Sequence, residues 1–87
     1  MKIKDGFILR EVAGSFIIVA VGSAVKDFHG IINLNETGAF LWKILEHGAT
    51  EEELLAKMLA EYEVDEETAR QDINAFINKL REAKLVL

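Results

Sequence analysis

The first third of the chain consists of short β-prone runs separated by turn residues. Residues 7–12 and 16–21 are rich in branched and aromatic side chains, and a glycine-containing turn lies between them at residues 13–14. Two such runs joined by a tight turn predict a β-hairpin. The second run is apolar on both faces, so we expect it to be the central strand. A third strand is predicted over residues 28–34, with a bulge or turn at Gly30.

The rest of the chain has apolar residues at the three- and four-residue spacing of helices. The side chains of Asn35, Thr50 and Asp65 are good helix caps, and each precedes such a pattern. The predicted helices cover about residues 36–47, 51–62 and 66–83. The apolar tail, residues 85–87, is expected to pack on the domain. The order predicts an α+β fold, a three-stranded antiparallel sheet followed by three helices that cover one of its faces.

The amino-acid composition indicates a folded domain and excludes several kinds of site. The 87 residues are 51% hydrophobic and 29% charged, which predicts one folded domain over residues 1–87. There is no cysteine, so disulfides, thiolate metal sites and cysteine nucleophiles are excluded. No signal peptide is visible, and no apolar run approaches the roughly 20 residues that cross a bilayer. We therefore expect a cytoplasmic protein without a membrane partner.

The net charge of −5 is concentrated in the second half of the chain. Residues 45–87 contain eleven acidic and five basic side chains. An acidic surface repels phosphate backbones, so general binding to nucleic acid is not expected.

The residue patterns of known catalytic sites are missing. His29 and His47 lie 18 positions apart on different predicted elements, without the spacing of metal ligands. Ser15 and Ser23 lack the Gly-x-Ser-x-Gly pattern of a nucleophile elbow. We therefore predict no catalytic residue, no metal site and no cofactor, and expect that the protein is not an enzyme.

The third strand and the third helix offer a binding surface. A short edge strand has free backbone groups that can pair with another chain. Ile31 and Ile32 are adjacent, so one of them must point away from the core. A flank of the third helix carries Arg70, Asn74, Ile77 and Arg81 at helical spacing. This flank is either an ordinary solvated surface or a cationic and apolar rim beside the edge strand, suited to an acidic-hydrophobic peptide.

The segment Ile32–Trp42, which contains Leu-Asn-Glu-Thr-Gly, resembles the central signature of the PqqD family. Leu45, Gly48 and the apolar positions of the later helices also match, so the resemblance covers essentially the whole chain. Lys84 departs from the pattern, because a glycine is expected before the last apolar residues.

The resemblance implies a winged-helix-like RiPP recognition element, a module for ribosomally made, post-translationally modified peptides. Such a module binds the leader segment of a precursor peptide by β-strand addition and presents it to a modifying enzyme, often a radical-SAM protein. The implied peptide-binding residues are Phe28, His29, Gly30, Ile31, Ile32, Asn33, Leu34, Arg70, Ile73, Asn74, Ile77 and Arg81.

Two alternative hypotheses remain open. A winged-helix DNA-binding regulator would insert its third helix into the major groove, yet residues 66–84 balance four acidic against four basic side chains. The other alternative is a purely structural or regulatory interaction domain, including one that forms a homodimer through the same edge strand or by exchanging elements. Neither the resemblance nor the residues select PQQ biosynthesis over another peptide pathway.

Overall fold

The protein folds as a three-stranded antiparallel sheet followed by three helices, in a computed structural model that describes residues 1–26, 28 and 30–87. The strands are β1 (Phe7–Val12), β2 (Ser15–Ala20) and β3 (Ile32–Leu34), in the spatial order β1-β2-β3. The helices are α1 (Glu36–Leu45), α2 (Glu51–Glu61) and α3 (Glu66–Glu82). The predicted α+β order and the central position of the second strand are confirmed.

The β1–β2 hairpin closes through a two-residue loop, as predicted. Val12 pairs with Ser15, and the intervening Ala13 and Gly14 have φ values of 52° and 80°. Two consecutive residues with positive φ match the right-handed twist of the strands, which is why such loops are favoured in hairpins.

The start of the predicted third strand is not a strand. Gly22–Lys26 form a 3-10 helix, and the N–H of Phe28 donates to the carbonyl of Ala24 at 3.1 Å. The Phe28 ring then packs edge-to-face on Phe7, with ring centroids 5.3 Å apart. The prediction of a strand over residues 28–34 was therefore too long, because a helical turn and an aromatic contact with β1 take up its first part.

The chain turns before β3. Gly30 has a φ of 118°, which glycine adopts readily and other residues do not, so a turn at this glycine is confirmed. Ile31 is 56% exposed, whereas Ile32 packs against the core, so one of the two isoleucines does point away. The predicted site residue His29 lies outside the described residues.

Each helix begins at its predicted cap. Asn35, Thr50 and Asp65 each accept a hydrogen bond from the backbone N–H three residues further on, at 2.7–3.1 Å. The Glu53 carboxylate also accepts from the backbone N–H of Thr50, which completes a capping box. These backbone hydrogen bonds lower the pKa of Glu53 and of Asp65 below their ordinary values, because they favour the charged carboxylate.

The core lies between the helices and one face of the sheet. Trp42 of α1 is completely buried at its centre, and Ile18 and Leu34 point into it from the strands. The Trp42 indole Nε1 has no hydrogen-bond partner among the described residues, so the ring is held by apolar packing.

The C-terminal tail packs on the domain, as expected. Leu85 is completely buried, and Ile3 forms a β-bridge with Val86. The N–H of Lys4 donates to the carbonyl of Leu85 at 2.7 Å, so the two ends of the chain are held together.

A left-handed residue ends α3. Lys84 has a φ of 60°, and its N–H donates to the carbonyl of Arg81 at 3.0 Å. The N–H of Leu85 donates to the carbonyl of Leu80 at 2.9 Å, and both leucine side chains are buried. This pattern is a Schellman motif, in which glycine is the usual residue at the position of Lys84.

Candidate functional site: a groove between β3 and α3

β3 is an edge strand. Within the described part of the chain it pairs with β2 alone, with Asn33 opposite Ile17. On its other side, the Nζ of Lys79 from α3 donates to the carbonyl oxygen of Asn33 at 2.5 Å. In an antiparallel pair a residue directs both of its backbone groups at its partner or both away from it. The N–H and the C=O of Asn33 therefore both point away from β2, toward α3.

A groove separates this edge from α3. The cavity has a volume of about 250 Å³, below the roughly 300–1,000 Å³ of pockets for small-molecule ligands. We call it the β3–α3 groove. Its lining residues are Leu34, Asn35, Thr37 and Gly38 on one wall and Asp72, Ala75, Phe76 and Lys79 on the other. A groove of this size beside an unpaired strand fits side chains of an extended peptide.

The Leu-Asn-Glu-Thr-Gly segment shapes one end of the groove. Asn35 caps α1 directly after β3 ends, so the strand turns into the helix without a loop. Gly38 is buried in the first turn, and a Cβ there would lie 3.0 Å from the Asn35 Oδ1 and 3.4 Å from the Leu34 Cβ. The glycine therefore lets the cap, the helix and the strand end lie close together.

One charged residue at each end marks the α3 wall. Asp72 and Lys79 are both exposed and lie two turns apart on the helix, which is about 10 Å along its axis. Ala75 and Phe76 lie between them, and Phe76 is buried against the core. The wall is thus apolar in the middle, acidic at one end and basic at the other.

The predicted helix residues do not face β3. Arg70 forms ion pairs with Glu52 of α2 at 3.1 Å and with Glu66 at 3.2 Å. Its hydrogen bonds, first to Glu52 and then to Glu66, raise the pKa of its guanidinium. Arg70 and Asn74 line a different cavity, together with Leu55 of α2. This flank of α3 therefore lies along α2.

The remaining predicted helix residues also do not contribute side chains to the groove beside β3. Ile73 and Ile77 are 3% and 1% exposed and belong to the core. Arg81 is exposed, and its spacing from Ile77 places it on the α2-facing flank. The flank of α3 that faces β3 carries Asp72, Ala75 and Lys79, so the predicted helix residues do not line the groove, and their role in peptide binding stays a prediction. The same helical spacing contained these residues, but nothing in the pattern distinguished the two flanks.

The strand residues of the prediction divide into two groups. Leu34 lines the groove, and the exposed Ile31 precedes it on the same edge. Asn33 lines a neighbouring cavity and borders the groove through the hydrogen bond from Lys79 to its carbonyl. Phe28 is held by β1, and Gly30 supplies the turn. The predicted edge strand is confirmed over its second half only.

Metal clusters and membrane-spanning helices are two further features that the described residues can be checked for. No group of three or more His, Asp or Glu side chains is placed to hold a metal ion there. No helix in this part of the chain is long and apolar enough to span a bilayer.

Two solved structures share this fold over almost the whole chain. The first is TbiB1 in complex with the TbiA(beta) leader peptide, with 26% sequence identity and a TM-score of 0.76; the alignment covers 99% of this chain and 94% of that one. The second is lasso peptide synthetase B1 complexed with the leader peptide, at 21% identity and a TM-score of 0.74, covering 99% and 95%. At that lower identity the likeness concerns the fold alone. No curated protein matches the sequence significantly.

A family comparison covers most of the molecule. The model of coenzyme PQQ synthesis protein D, PqqD, matches residues 16–86, which extend from β2 through α3 to the bridge formed by Val86. The match includes the Leu-Asn-Glu-Thr-Gly segment from which the resemblance was recognised, together with both walls of the β3–α3 groove. The resemblance is confirmed, and the chain belongs to the PqqD family.

Proposed function

We propose that the protein binds the leader segment of a ribosomally synthesised precursor peptide in the β3–α3 groove. The leader would add a strand to the free edge of β3, which is β-augmentation. The observation that carries this proposal is the outward direction of the Asn33 backbone groups, beside a groove open to an extended chain. The fold shared with TbiB1, whose structure contains the TbiA(beta) leader peptide, supports it.

Side-chain burial must supply most of the affinity. β3 has only three residues, and of these Asn33 alone directs its two backbone groups at the groove. Two hydrogen bonds contribute about 1–3 kcal/mol, whereas micromolar binding requires about 8 kcal/mol. Each leucine-sized side chain that is fully buried adds about 1.5–3 kcal/mol. The apolar middle of the α3 wall, at Ala75 and Phe76, is therefore where the leader would be selected.

The protein would act as a single peptide-recognition domain that performs no chemistry itself. It would hold the precursor for a modifying enzyme, such as a radical-SAM protein. Holding a substrate next to an enzyme raises its effective concentration to the millimolar range for a short tether. This is the advantage that a separate binding protein provides.

The first test is an NMR titration. Labelled protein is titrated with candidate leader segments, taken from short open reading frames in the neighbourhood of its gene. We expect amide shifts at residues 31–38 and 72–79. Shifts confined to Arg70, Asn74 and Arg81 would place the peptide on the other flank of α3. If no shifts appear, the proposed function is wrong.

The second test separates backbone pairing from side-chain contact at one residue. The Asn33→Pro variant removes the N–H that faces the groove, and the sheet tolerates it because that N–H does not pair with β2. We expect leader binding at least 10-fold weaker. The matched Asn33→Ala variant keeps the N–H and should bind within about threefold of the wild type. Equal binding by Asn33→Pro and Asn33→Ala would exclude strand addition at this residue.

A further inference from the structure

We infer that Lys79 is a specificity-determining residue of the β3–α3 groove, which selects leaders that carry a carboxylate side chain directed at α3. In the free protein its ammonium is hydrogen-bonded to the Asn33 carbonyl. On binding it would exchange this partner for an Asp or Glu of the leader. The inference rests on the proposed function and adds the chemistry of the peptide.

The Lys79 ammonium occupies the acceptor that a guest strand needs. An added strand pairs with β3 by donating a backbone N–H to the outward carbonyl of Asn33. The Nζ of Lys79 lies 2.5 Å from that oxygen, on the same side of the strand. The guest backbone and the ammonium therefore compete for the same place, and the ammonium must move aside.

Within the groove, the displaced ammonium has no ready protein partner among the described residues. Asp72 is the one carboxylate that lines the groove, and it lies two helical turns from Lys79. Helix residues pair closely when they are three or four positions apart, so Asp72 is too far away. Glu82 is three positions from Lys79, but it is not among the residues that line the groove. A peptide over the groove also removes water from the ammonium, and a charged group without water or a partner is costly. A leader carboxylate at this end of the groove supplies the missing partner.

The geometry also fixes where the carboxylate lies in the leader. Alternate side chains of a strand point to the same face, so those directed at α3 are two positions apart. One of them fills the apolar part of the groove beside Ala75 and Phe76, and the next meets Lys79. The structure thus favours a leader with an apolar residue and an acidic residue two positions apart. The protein has a net charge of −5, which repels an acidic leader. The attraction between Lys79 and a leader carboxylate is therefore a local effect that acts against this overall repulsion.

The test compares two peptides on three proteins by fluorescence anisotropy. The peptides are the fluorescently labelled leader that binds in the NMR titration and a copy whose Asp and Glu are replaced by Asn and Gln. The proteins are the wild type, Lys79→Met and Arg81→Met. Arg81 is the matched control because it is a cation of the same helix on the flank that faces α2.

We expect the acidic leader to bind Lys79→Met at least fivefold more weakly than the wild type. The amide copy should bind Lys79→Met as tightly as the wild type or more tightly, because the competitor for the Asn33 carbonyl is gone. Arg81→Met should behave as the wild type with both peptides. Circular dichroism confirms that the variants are folded, which the exposure of both side chains makes straightforward.

Three results would overturn the inference. The first is binding of the acidic leader by the wild type and by Lys79→Met within twofold. The second is an equal loss in Arg81→Met, which would indicate a general effect of net charge. The third is tight wild-type binding of a leader that contains no Asp or Glu. Absence of any binding by the wild type is a different outcome, since it refutes the proposed function itself and the inference with it.

Discussion

Replacing Lys84 by glycine should stabilise the protein. Lys84 has a φ of 60° in the Schellman motif that ends α3, and its backbone hydrogen bond to Arg81 holds it there. In this left-handed conformation the Cβ of an ordinary residue lies too close to the following carbonyl oxygen. Glycine has no Cβ and adopts the conformation without that cost. The glycine expected at this position from the PqqD resemblance thus has a structural reason.

The size of the effect follows from three opposing contributions. Relief of the left-handed strain contributes about 1–2 kcal/mol. The greater freedom of glycine in the unfolded chain removes about 0.4–1 kcal/mol. Loss of the ammonium near the C-terminus of α3 removes a further few tenths of a kcal/mol, because cations are favourable there. The net gain for Lys84→Gly is about 0.5 kcal/mol.

A control variant separates the effect of the lost ammonium from the effect on the backbone. Lys84→Ala also loses the ammonium but keeps the Cβ, so the two variants differ only in backbone freedom and strain. We expect Lys84→Gly to exceed Lys84→Ala by about 1 kcal/mol in the free energy of unfolding. For 87 residues the entropy of unfolding is about 0.2 kcal/mol/K, so this difference corresponds to about 5 °C in Tm.

Guanidinium unfolding followed by circular dichroism measures the difference, provided that both variants have the same m-value. A result in which Lys84→Gly is no more stable than Lys84→Ala would refute the reasoning, since the residue would then not be held in a left-handed conformation. Leader binding should be unchanged in both variants, because Lys84 is not among the residues that line the β3–α3 groove.

Two further predictions concern the groove and the pH dependence of stability. Ala75→Trp should fill the groove and weaken leader binding more than 10-fold. Asn74→Trp, on the side of α3 that faces α2, should bind the leader within about threefold of the wild type. Calorimetry that finds equal losses in the two variants would contradict the assignment of the flanks. The hydrogen bond from the Thr68 N–H lowers the pKa of Asp65, so its stabilising effect is present above about pH 4 and is lost as the pH falls through the lowered pKa. Asp65→Asn keeps the cap but does not titrate, so its stability should fall less steeply than that of the wild type between about pH 4 and pH 2 in denaturant titrations. Parallel curves would show that the cap charge has no influence.

The elements that the sequence predicted correctly are those fixed by neighbouring residues. The caps Asn35, Thr50 and Asp65 each bond to a backbone N–H three positions away, so the pattern contains both partners. The hairpin loop is equally local. The start of the third strand was wrong because a distant residue decides it: Phe28 packs on Phe7. No window of sequence around residues 28–34 contains that contact.

The edge strand could be predicted because the number of strands determines how many of them lie at an edge. A three-stranded sheet has two edges, and the shortest run was the natural candidate for one of them. The Leu-Asn-Glu-Thr-Gly segment likewise indicated where the strand meets α1, since Asn35 is a helix cap directly after Leu34. The strand half of the groove was therefore accessible from the sequence, although Leu34 is the one lining residue that the prediction named.

The other half was not, because a buried stripe on a helix always has two flanks. The periodicity of α3 identifies Ile73, Phe76 and Leu80 as core, and it leaves open which side of that core faces β3. A flank with Arg70 and Arg81 looked suited to an acidic peptide. Arg70 is in fact engaged by Glu52, an acidic residue in the first turn of α2.

The bonding partners of the cations on α3 distinguish its two flanks, which the sequence pattern does not. A cation on α3 that lies within reach of acidic side chains on a neighbouring helix forms an ion pair with them. Arg70 is such a cation, because it pairs with Glu52 of α2. A cation that bonds to a strand carbonyl instead marks an acceptor that the sheet has left unpaired, because a carbonyl within a complete ladder already has a donor. Lys79 on Asn33 is such a contact. The flank of α3 that faces β3 is thus identified by the residue that compensates for the missing strand, rather than by the flank with the greater charge.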